Sequence, residues 1–150
     1  MGDAVLWLNE NEQISHKLGS EIGLVLAPKS LGECALRRGD ARTAAVHFER
    51  CHDRCVRFGD TPIEIAALCG LVAAAALEGN AARTAQRAAA LDARAAKIAL
   101  AERPNVVRPS AESLRDMHAL LARTAADAVD AALADAARRA LTLLDSFGIK

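Results

Sequence analysis

A glycine followed by a small polar residue stands at Gly39-Asp40 and recurs forty residues later at Gly79-Asn80. The earlier Gly19-Ser20 recurs at the same interval as Gly59-Asp60. Between these points the small residues keep register, Ala27 with Ala67 and Ala35 with Ala75. Glycine reaches the left-handed conformation that ends a helix, and Ser, Asp or Asn directly after it caps the next one. A fixed interval of this size marks stacked helix hairpins, because two helices alone cannot bury their apolar faces and each pair must cover the next.

Composition supports the same architecture. Apolar residues make up 52% of the 150, yet aromatics are only 3% and Tyr is absent, so most of the apolar content is alanine with leucine and valine. Alanine favours helix and lets helices approach closely, whereas strand formers are scarce. The expected fold class is all-α, with six or seven helices. The first spans residues 4–18. The second starts at a Ser20 cap, contains Pro28 as a point of kinking, and stops at Gly39. Asp40 caps a third that carries Ala44, Phe48, Cys51 and Cys55. Thr61 is the expected cap of the fourth, with Pro62 in its first turn and Glu64 three residues on. Asn80 opens a fifth helix reaching about residue 102. Residues 102–110 read as a loop bracketed by two prolines. Ser110 then caps a helix through about residue 122, and a final helix ends near Phe147-Gly148.

With the turns in place, Leu31, Gly32 and Ala35, then Gly39-Asp40, then Ala44 and Phe48 resemble the tetratricopeptide pattern. Ala35 stands where that pattern has an aromatic, and the repeat is longer than the usual ~34 residues. LGSEIGLVLAPKSLGECALRRGD, RFGDTPIEIAALCGLVAAAALEGNAARTA and ALTLLDSF resemble the C-terminal helical-repeat region of LuxR-type (MalT-like) ATP-dependent transcriptional regulators. The resemblance implies a short right-handed α-solenoid in one domain: an unpaired N-terminal helix (1–19), one repeat at 20–59, a second at 60–103, and a degenerate helix pair at 110–150. It also implies a sensing or protein-contact scaffold, although neither an NTPase module nor a DNA-binding helix-turn-helix is recognisable in this chain. In the repeat register, Lys29, Glu33 and Arg37 from one hairpin and Cys69, Ala73 and Leu77 from the next face the concave surface. That surface would take a peptide, a helix or a partner subunit.

The expected partner is therefore a protein or peptide, with a homodimer as one form of it. Nineteen basic side chains balance nineteen acidic ones. Without a basic surplus to meet phosphate, direct nucleic-acid binding is not expected. The apolar run over residues 65–77 is read as too short to span a bilayer, and the first residues have no basic segment leading into an apolar one. The expectation is a cytoplasmic chain away from membranes, its four cysteines kept as thiols. Trp7, the only tryptophan, sits on the unpaired first helix and is the expected interface residue.

His47, Cys51 and Cys55 fall at i, i+4 and i+8 on one helical face, which carries the competing reading: a thiol- or metal-responsive regulator, with Cys34 or Cys69 completing a zinc site. Against it, the tight CxxC spacing of structural zinc is missing, and free cysteine is commonly a buried small hydrophobe. A Cys51–Cys55 disulfide does not suit helix geometry. No phosphate-binding glycine loop or nucleophile elbow is present, and Asp127, Asp130 and Asp135 read as a solvated helix face. The arginines at 83, 87 and 94, with Lys97, read likewise. No cofactor and no catalysis are expected.

Overall fold

The computed structural model describes residues 2–149, and among these it is all-helical with no strand. Seven long helices run α1 (Gly2–Leu18), α2 (Glu21–Arg37), α3 (Ala41–Phe58), α4 (Thr61–Glu78), α5 (Ala81–Ala95), then α7 (Ala111–Asp127) and α8 (Ala131–Ser146), with a five-residue α6 (Arg103–Val107) before α7. Consecutive helices pack together from α1 to α5; α4 also touches α2 and α7, and α8 packs on both α5 and α7.

The turns repeat at half the interval read from the sequence. Gly19, Gly39, Gly59 and Gly79 all adopt positive φ, +67° to +76°, twenty residues apart. After each, the next residue's N–H donates to the carbonyl five residues back: Ser20 to Ser15 (3.0 Å), Asp40 to Ala35 (2.9 Å), Asp60 to Cys55 (3.0 Å) and Asn80 to Ala75 (3.1 Å). The same four side chains accept from the backbone N–H three residues on, at Gly23, Thr43, Ile63 and Arg83. One turn thus satisfies carbonyls of the outgoing helix and an N–H of the incoming one. Each helix lying between two such turns, α2 to α4, is so fixed at 17 or 18 residues.

Several boundary expectations are corrected. Asp60, not Thr61, caps α4, because the cap must follow the left-handed glycine directly; Thr61 is already helical and accepts a hydrogen bond from Arg94 instead (3.1 Å). α5 ends at Ala95 rather than near residue 102. The next place for a turn glycine holds Ala99, at φ −56°, and the carbonyls of Ala95 and Ile98 are taken by the Arg103 guanidinium (2.9 and 3.2 Å). Residues 102–110 are not a loop: they lie in α6 between two short 3₁₀ turns, with Pro104 and Pro109 in first-turn positions where no N–H is lost. Ser110 makes no side-chain cap and α7 runs on to Asp127. Pro28 lies buried within α2, which continues through it.

The core is built on α4, buried without a break over residues 63–76. A helix apolar all round belongs inside. Length and composition alone would let α4 cross a bilayer, contrary to the reading of its apolar run as too short, but 72% of it is buried among the other helices. Its small side chains let neighbours in closely. The ring of Phe48, fully buried, is pressed between α2 and α4 where both lack a side chain: a Cβ on Gly32 would stand 2.8 Å from it, and one on Gly70 2.6 Å. Beyond α4, Leu91, Val107, Leu114, Leu121, Leu144 and Phe147 close the second half of the core.

Candidate functional site

α2 and α7 both pack on α4, and residues of these two helices form the walls of a groove of about 350 Å³. Glu33, Leu36 and Arg37 form the α2 wall; Asp116, Leu120 and Arg123 form the α7 wall. Glu33 and Arg37 share a face of α2 by their i, i+4 spacing, and Asp116, Leu120 and Arg123 share one of α7 at i, i+4, i+7. The buried Met117 contributes to the lining between the walls.

Each wall offers one acid and one base. Glu33 is held by Lys29, whose ammonium lies 2.8 Å from Oε1 at 11% and 13% side-chain exposure. That contact is an ion pair without hydrogen-bond alignment, since Oε1 has no aligned donor. Arg37 reaches across to Asp116 at 3.7 Å with both side chains more than half exposed, a tie worth under about 1 kcal/mol and easily exchanged for another partner. The groove therefore combines an apolar strip with one firmly paired acid, Glu33, and a loosely committed pair of opposite sign, Arg37 and Asp116.

Of the six residues expected on a concave face, Glu33 and Arg37 line this groove. Lys29 is buried behind them as the counter-ion of Glu33. Cys69 and Ala73 are at most 1% exposed and belong to the core rather than to any surface, because α4 is covered on all sides. Leu77 is partly exposed near the end of α4, outside the groove lining. The sequence reading missed the α7 wall. Its i, i+4, i+7 spacing was visible, but the repeat register fades before α7 and could not say which face turns inward.

The thiol face is closed. Cys51 and Cys55 are fully buried, and Cys51 Sγ donates to the Val25 carbonyl at 3.3 Å. Contact with the Cys51 thiol, then burial, pushes the Cys55 thiol far above the ordinary range, and burial raises Cys69 to about 12. Cys55 and Cys69 therefore stay protonated, and in that form they are poor nucleophiles and poor metal ligands. His47 is half-buried; its Nδ1 has no hydrogen-bond partner, and burial, helped by Arg50, lowers its pKa. Among the described residues no three His, Cys, Asp or Glu side chains converge as a metal site, so His47, Cys51 and Cys55 are not brought together as ligands. Trp7 is 62% exposed on α1.

Compared with known proteins, the chain matches no family model, no curated protein and no solved structure.

Proposed function

We propose that this chain is a short right-handed, tetratricopeptide-like α-solenoid, a non-catalytic interaction domain acting in the cytoplasm. Its occupant is a peptide segment or helix of a partner protein. The observation that carries the reading is the groove between α2 and α7. It has apolar Leu36 and Leu120, with Glu33 and Arg37 on one wall and Asp116 and Arg123 on the other. A groove of about 350 Å³ accommodates one or two anchoring side chains rather than a whole helix face. The recognised segment therefore presents a single apolar anchor between an acidic and a basic residue, which Arg37 and Asp116 can meet by giving up their weak mutual contact. One further feature fits a scaffold: all four cysteines are packed into the interior rather than presented in the groove. The resemblance to the sensor region of LuxR-type regulators fits a scaffold whose occupant signals to other domains.

Selection from a random twelve-residue peptide library tests this. Peptides with an apolar residue flanked by opposite charges are expected, with binding lost in Leu120→Arg and weakened in Arg37→Glu while helicity is kept. Enrichment of no peptide, or of peptides indifferent to both changes, would end the groove reading.

A further inference from the structure

α1 is turned inside out. Its buried residues are Glu12 and Ser15, whereas Leu6, Trp7, Ile14 and Leu18 are 51% to 78% exposed. Polar contacts hold its inner side: Glu12 accepts a hydrogen bond from Arg54 Nη1 at 2.6 Å and lies 3.7 Å from Arg50, and Ser15 sits tightly against Gly23 of α2. The corresponding helix α3 does the opposite and buries Ala44, Phe48, Cys51 and Cys55. Ile22 and Leu26 of α2, both exposed, extend the apolar face, and Trp7 and Leu26 edge a dent of about 270 Å³ also lined by Gly23 and Ala27. At the other end of the molecule α8 exposes Asp135, Arg138, Arg139 and Thr142 instead.

We infer that this α1/α2 face binds the same face of a second copy of the chain, with the two α1 helices antiparallel. The inference is independent of the α2/α7 groove. A head-to-tail contact would set this face against the exposed Asp135, Arg138 and Arg139 of α8. A like-to-like contact about a two-fold axis matches apolar to apolar and closes. The charges fix the direction. Asp3, Glu10 and Lys17 are all exposed and seven residues apart, so they form a stripe along α1 between Leu6 on one side and Trp7 and Ile14 on the other. Parallel pairing would set like against like at all three positions. Antiparallel pairing, with the axis near residues 10 and 11, sets Asp3 against Lys17 of the second copy twice and Trp7 against Ile14 twice, leaving only Glu10 near its own counterpart. Two helices about 25 Å long and about 10 Å apart present a face of order 500 Å² in plan. That size belongs to small, reversible interfaces with dissociation constants on the order of micromolar.

Sedimentation equilibrium of the full chain decides this. The wild type is expected to pass from 15.8 kDa to twice that mass as concentration rises through the micromolar range, with the emission of its single tryptophan, Trp7, shifting to the blue in step. Lys17→Asp and Asp3→Lys each weaken association at least tenfold, their combination restores it, and Glu10→Gln tightens it. These positions are exposed, and circular dichroism of each variant checks that the fold is kept. A chain that stays monomeric up to about 1 mM, or a dimer indifferent to the charge reversals and to Trp7→Ser, overturns the inference.

Discussion

The ring of Phe48 occupies the space that a side chain at Gly70 would need, at 2.6 Å from an added Cβ. Two rules give opposite signs for Gly70→Ala. Helix propensity favours alanine by up to about 1 kcal/mol; overpacking a filled core costs about 1–3 kcal/mol. Phe48 is fully buried and held on its other side by Gly32, so it cannot retreat. Packing wins, and Gly70→Ala lowers stability by about 1–2 kcal/mol, read as a fall of roughly 3–8 °C in thermal midpoint. A rise in midpoint would mean that the ring moves freely.

Glu64 and Arg94 make a second test. Arg94 Nε lies 3.1 Å from both carboxylate oxygens, and Glu64 keeps only 11% of its side chain exposed. Arg94→Met leaves a mostly buried carboxylate with only His52, 3.8 Å away, beside it, at a cost of about 2–3 kcal/mol. Glu64→Leu together with Arg94→Met recovers most of that loss, because an apolar pair suits the site. A double-mutant cycle by urea unfolding measures the coupling.

Acid sensitivity follows from His47. Burial lowers its folded pKa below the ordinary histidine value of 6.5, so the unfolded chain binds more protons over the interval between the two values. Stability therefore falls as pH drops below about 6.5 and levels off once pH is below the folded value. The loss of urea midpoint between pH 7.5 and 5.5 is expected to shrink in His47→Gln. An unchanged loss would assign the sensitivity to other groups.

Thiol reactivity gives the fourth. All four cysteines are buried, Cys69 with its pKa raised to about 12. Ellman's reagent at pH 8 should titrate less than one thiol quickly in the folded protein and all four in denaturant. Rapid reaction of the folded form at Cys51 or Cys55 would revive a thiol-sensing role.

What could be read from the sequence was what is decided locally. The glycine turns and the Ser20, Asp40 and Asn80 caps depend on a handful of neighbouring atoms, and they stand where spacing put them. The end of α5 does not: it is set by Arg103 reaching back to Ala95, a contact the helix pattern does not encode. The candidate site divides the same way. Glu33 and Arg37 were legible from the register of α2, but Cys69 and Ala73 were misdirected to a surface because α4 is apolar on every face and gives no direction. The α7 wall depends on how α7 approaches α4 across some forty residues of chain, and no spacing rule carries that.

The turns closed by Gly39-Asp40 and Gly59-Asp60 bear on how such a chain can change length. Each junction is complete within about ten residues, drawing on no distant partner for its hydrogen bonds. A helix pair gained or lost at such junctions would leave both ends already sealed. The resistance to a change of length therefore lies not in the turns but in α4, whose contacts with α2, α7 and α8 would have to be rebuilt.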